Sequence, residues 1–64
     1  MKYKIEIWQY HNITEIYESD NIEDILHWYK VNWWWLYELG NCSFSVYKDK
    51  EELSFEEEYR LGFH

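Results

Sequence analysis

The sequence predicts a small α+β fold: an antiparallel sheet, entered in the order β-β-α-β-α, packed on one long helix and followed by a short C-terminal helix. Three observations carry that prediction. Residues 3–9 and 42–48 alternate apolar and polar side chains, the period of a half-buried strand. Ile22, Ile25, Leu26, Tyr29, Trp33, Leu36 and Tyr37 recur at helical spacing and form one apolar face. Ser54 and Glu57 stand three residues apart at the head of an aromatic run, the pattern of a helix start.

The elements follow in order. In the first strand Tyr3, Ile5 and Ile7 share one face and Lys4, Glu6 and Trp8 the other. Residues 10–12 form a turn, with Asn12 suited to positive φ. Residues 13–18 return as the second strand of a hairpin, although their alternation is too weak to set a register. The long helix spans about 21–39, with Asp20 as its cap, Glu23 completing a capping-box-like pair and Asp24 adding charge that suits the helix dipole. Gly40 is placed to end it in the left-handed conformation, and Asn32 marks a possible break. The next strand sets Cys42, Phe44 and Val46 against Ser43, Ser45 and Tyr47, and residues 48–52 make a charged turn. The short helix pairs Phe55 with Tyr59 at i,i+4 and stops at Gly62, leaving Phe63 to fold back. With no linker or repeat, residues 1–64 form one domain.

A core in 64 residues barely offsets the entropy of ordering the chain. Cys42 is the only cysteine, so no internal disulfide can help, and self-association is the simplest remaining support. Trp33, Trp34 and Trp35 bear on the same point. Successive helix residues diverge by about 100°, so one core cannot receive all three. Trp33 belongs to the core stripe, whereas Trp28, Trp35 and Leu39 align as a second stripe facing away from the sheet, with Trp34 between them. Such a stripe either contacts another molecule, a second copy in a homodimer being the first candidate, or is covered by Phe55, Tyr59 and Phe63 of the C-terminal helix.

Six basic residues against thirteen acidic ones give a net charge of −7, which repels phosphate and argues against direct nucleic-acid binding. No run is long and apolar enough for a membrane span or a secretion signal, so a cytoplasmic protein is expected. His11, His27, His64 and Cys42 lack metal-ligand spacing, no glycine-rich loop suits a phosphate, and Cys42 has no catalytic context. Glu56, Glu57 and Glu58 point around a helix rather than converging. These patterns predict no enzyme, no metal and no cofactor.

The segments "YKIEIW", "IEDILHWYK" and "FSVYKDKEELSFEEEYRLGF", in a chain rich in Ile, Asn, Tyr and Lys and without Ala or Pro, resemble the small uncharacterised acidic proteins of phages and prophages of low-GC Gram-positive bacteria. The resemblance implies a protein that inhibits or modulates a host protein by binding, in some cases by mimicking DNA with acidic side chains. On that reading Trp28, Trp34, Trp35 and Leu39 supply contact area, and Glu51, Glu52, Glu56, Glu57 and Glu58 supply charge. A small-molecule or nucleotide-binding module and a structural subunit of a larger particle are the alternatives.

Overall fold

The computed structural model describes residues 2–64, apart from the side chain of Leu39. Its elements are β1 (Tyr3–Gln9), β2 (Asn12–Ser19), α1 (Ile22–Leu39), β3 (Cys42–Lys48), β4 (Glu51–Glu52) and α2 (Phe55–Leu61). The strands form one antiparallel sheet in the order β2-β1-β3-β4, with α1 packed against one face. The small α+β architecture and the long helix match the expectation from sequence. The sheet differs by one strand, because the charged segment 48–52 is itself a hairpin, with Glu51 paired to Lys48 and Glu52 to Tyr47.

Both tight hairpins place positive φ on residues that carry side chains. Tyr10 and His11 (φ 52° and 68°) join β1 to β2, and Asp49 and Lys50 (φ 51° and 75°) join β3 to β4. Positive φ at both residues is the signature of the type I′ turn, one of the two two-residue connections whose twist matches that of the strands. The pair at Tyr10 and His11 moves the first turn off Asn12, which instead begins β2 and donates its side-chain amide to the Tyr10 carbonyl at 3.2 Å.

The weak alternation of β2 has a structural cause. Ile7 faces Glu15 while the next residue, Trp8, faces Ile13, so Thr14 is an extra residue in the ladder. This bulge resets the side-chain parity. Ile13 and Ile16, of opposite parity in sequence, therefore share the face away from α1, opposite Trp8 and Glu6.

The core lies between the inner face of the sheet and α1. Ile5 and Ile7 of β1, Val46 of β3 and Ile25 of α1 are wholly buried, and Leu36, Leu53 and Phe63 complete the cluster. Each such side chain contributes roughly 1.5–3 kcal/mol of burial free energy. Phe63 reaches the core because Gly62 adopts the left-handed conformation (φ 102°) and turns the chain back after α2. The Gly62 and Phe63 amides both donate to the Glu58 carbonyl, at 3.2 and 3.0 Å. At the head of α2 the expected capping box forms: the Glu57 amide donates to Ser54 Oγ, and the Ser54 amide donates to Glu57 Oε1.

The long helix spans the expected range and corrects two local expectations. Its cap is Asn21 rather than Asp20, because Asn21 has the extended backbone from which Oδ1 accepts the Glu23 amide at 2.9 Å. Gly40 has positive φ but an extended ψ (74°, 158°), so it directs the chain into β3 rather than forming a left-handed cap. The helix also runs unbroken through Asn32, whose side-chain amide donates to the Trp28 carbonyl one turn back, at 2.8 Å. The Trp28 carbonyl has a second lone pair for this bond, so the Asn32 side chain is paired without leaving the helix.

Candidate functional site

Helical geometry sorts the tryptophan run. With about 100° per residue, Ile25 lies opposite Trp34, and Trp33 and Trp35 flank Trp34 by about 100° on either side. Ile25 is wholly buried under the sheet, so Trp34 is the outermost of the three and is 64 % exposed. Trp33 leans towards β3, its ring centroid 5.2 Å from Phe44 and 5.3 Å from Tyr29. Trp28 lies on the opposite flank, stacked on Tyr17 of β2 at 5.5 Å with the rings 6° from parallel. Trp35 shares that flank, packs against the core, and donates its indole N–H to Asn32 Oδ1 at 3.1 Å.

The expected second stripe is therefore corrected. Trp28 and Trp35 do not face away from the sheet; they cover the flank of the core beside β2. The physical reason is sheet width. Four strands about 4.8 Å apart span more than the diameter of a helix backbone, so the sheet receives both flanks of α1 as well as the side that faces it. Leu39, the remaining member of that stripe, has a side chain outside the described residues. Nor does the C-terminal segment cover the stripe. Phe63 packs on the opposite flank, 5.3 Å from Tyr29, while Phe55 and Tyr59 stay exposed. Tyr37, expected in the core stripe, is 72 % exposed, because it lies about 60° from Trp34 on the outward side. Val31, Trp34 and Tyr37 thus form the apolar patch that α1 presents to solvent.

The five glutamates do not make one face. Glu58 is buried and its Oε1 lies 2.9 Å from His64 Nε2; the His64 ring is 5.5 Å from Phe44 and 4.4 Å from Phe55. Glu56 pairs with Arg60 at 2.6 Å, and Glu57 is held in the capping box. Glu51 and Glu52 are exposed on β4. The acidic surface is carried by Glu51, Glu52, Glu56 and Glu57, and Glu58 serves the fold.

A third surface is the outer face of the sheet, where the alternation of β1 and β3 sets Lys4, Glu6 and Trp8 beside Tyr47, Ser45 and Ser43. The bulge adds Ile13 and Ile16, whose mismatched parity hides their common face in the sequence. Glu6 is buried here, with its carboxylate 3.2 Å from Lys4 Nζ, and Lys4 sits 4.7 Å above the Tyr47 ring. Burial raises the Tyr47 phenol above its ordinary value, helped by a hydrogen bond to Glu6 and by the charges of Glu6 and Glu52, against a smaller opposing effect of Ser45. Trp8 lines a shallow groove of about 450 Å³ with Tyr10, His11, Asn41, Ser43 and Ser45, and its indole N–H is buried without a partner among the described residues.

The four residues named for metal or nucleophile chemistry belong to four different parts of the fold: His11 to the first turn, His27 to α1, Cys42 to the start of β3 and His64 to the segment after α2. Among the described residues no three His, Cys, Asp or Glu side chains converge on a point that could hold a metal ion. Cys42 is a free thiol, half-buried, with Sγ 3.6 Å from the Gly40 carbonyl. Among the described residues no helix is long and apolar enough to cross a membrane. No family model, curated protein or solved structure matches the chain.

Proposed function

We propose that this chain is a small acidic protein-binding module that acts by occupying a partner rather than by catalysis. The observation that carries the reading is Trp34, exposed at the outermost line of α1 between Val31 and Tyr37. Tryptophan and tyrosine are enriched among the residues that dominate binding energy, and apolar clusters on a soluble surface mark contact sites. The charge of −7 favours approach to a basic partner. Together with the resemblance to phage and prophage proteins, this supports an inhibitor or modulator of a host defence or nucleic-acid-processing protein, working in the host cytoplasm. Pairing of two copies through Trp34 about a twofold axis belongs to the same proposal.

The test is affinity capture from a bacterial lysate with the wild type, with Trp34→Ala, and with Glu51, Glu52, Glu56 and Glu57 all changed to Gln. Loss of a captured partner with Trp34→Ala supports contact through the aromatic patch, whereas loss with the Gln variant alone supports charge mimicry of DNA. A wild type that retains no partner, and that sediments as a monomer at high concentration, overturns the proposal. The Trp8 groove favours a second reading, a small-molecule or nucleotide site beside Tyr10 and His11. It requires a dose-dependent rise in melting temperature with the compound.

A further inference from the structure

We propose that the free edge of β2, over Glu15–Ser19, receives an extended cationic segment of the partner as a fifth strand. This inference rests on the binding-module reading and names a surface and a partner chemistry for it. The sheet order leaves β2 outermost, paired only with β1, while its other edge is open. An open edge presents backbone N–H and C=O groups that call for partners and can template another strand.

The two edges of this sheet are protected very differently. At one end β4 is only two residues long, too short to template much. At the other, β2 runs eight residues and is exposed along most of its length. It carries neither lysine nor proline, the residues that usually guard such an edge. Its bulge at Thr14 interrupts the regular ladder and leaves Glu15–Ser19 as the straight, available part.

The side chains on that stretch specify the occupant. Ile16 is 52 % exposed on the outer face, where it needs an apolar neighbour. Glu15, exposed on the opposite face, has no ion-pair partner among the described residues, and Glu18 meets only the solvent-exposed Lys2, at 3.4 Å. Asp20, just beyond, is exposed as well. A second copy is a poor fit. Antiparallel pairing about Ile16 would set the two Glu15 carboxylates diagonally across one face, like charge against like charge. A strand that turns a basic residue towards Glu15 and an apolar one towards Ile16 satisfies the backbone edge, the charge and the exposed isoleucine together.

The experiment uses a fluorescent peptide of alternating Lys and Val, read by anisotropy against the full chain, with amide hydrogen exchange on the complex. Binding is expected with new protection confined to Glu15–Ser19. It should weaken at least about tenfold for the Glu15→Lys chain, and equally for a peptide of the same sequence with a methylated backbone. Circular dichroism of Glu15→Lys and of a milder Glu15→Gln chain confirms that the fold is retained. Equal binding of the methylated peptide, protection centred on Trp34, no binding at all, or β2 protection arising from self-association each overturns the inference. Lysate capture that survives Glu15→Lys but fails with Trp34→Ala removes this inference alone and leaves the binding module standing.

Discussion

Asn32 Oδ1 accepts the indole N–H of Trp35 at 3.1 Å while the amide of the same side chain donates to the Trp28 carbonyl at 2.8 Å. One residue thus fixes the Trp35 ring and ties its own side chain to the preceding turn of the helix. Replacing Asn32 by Leu keeps the branched shape but leaves an indole donor unpaired in a half-buried place, at a cost of about 1–3 kcal/mol. Urea unfolding of Asn32→Leu, Trp35→Phe and the double variant closes the cycle. A coupling of about 1 kcal/mol is expected, and a coupling of zero removes the bond from the account.

The three consecutive tryptophans rank by direction. Trp34→Ala should change stability by no more than about 0.5 kcal/mol, as at an exposed site. Trp33→Ala, which uncovers Phe44 and Tyr29, should cost roughly 2–4 kcal/mol, and Ile25→Ala roughly 2–5 kcal/mol. A domain of this size has only about 3–10 kcal/mol in total, so the last two should leave it marginally folded. Thermal melts of the three proteins decide the order, and a costly Trp34→Ala contradicts the arrangement described.

The tight turns invite stabilisation. His11 and Lys50 hold the left-handed conformation at φ 68° and 75°, which costs a side-chain-bearing residue roughly 1–2 kcal/mol. His11→Gly and Lys50→Gly should each recover about 1 kcal/mol, the second because it creates the favoured Asp-Gly pair. Gly62→Ala runs the other way, since its φ of 102° is strained for alanine. Chemical denaturation midpoints measure all three.

Alkali should unfold the protein through its tyrosines. Burial raises the Tyr29 phenol above its usual value, and the charge of Glu58 adds to the shift; Tyr47 is raised as well. In the unfolded chain both ionise near pH 10. Above that pH the unfolded state holds fewer of these protons than the folded state, so the stability they contribute is intact below about pH 10 and is lost as pH rises through their folded values. Melting temperatures from about pH 8 to about pH 11 should fall less steeply for the Tyr29→Phe/Tyr47→Phe double variant than for the wild type. Parallel curves for the two proteins contradict the assignment.

Strict periodicity made β1, β3, the core stripe of α1 and the Ser54–Glu57 cap legible in the sequence, because each is a local pattern. The first turn was legible over residues 10–12, but its left-handed pair Tyr10 and His11, the two-residue β4 and the destination of Trp28 and Trp35 were not, since they depend on strand twist and sheet width, which leave no mark on neighbouring residues. Of the candidate site, the exposed Glu51, Glu52, Glu56 and Glu57 were legible, and so was Trp34. Its companions Val31 and Tyr37 emerge once the direction of the sheet fixes which side of the helix is wet, and Glu58 leaves the acidic surface because His64 and the turn at Gly62 draw it inward.

The inserted threonine in the second strand also makes one deletion there harmless to the pairing. Removing Thr14 would leave Ile7 opposite Glu15 and Trp8 opposite Ile13, so Ile13 and Ile16 would keep their common outer face by plain alternation. A single-codon loss at that point would regularise the ladder, whereas a loss within Glu15–Ser19 would put one side of the strand out of phase with its neighbour. Tolerance to a change in length should therefore peak at that threonine.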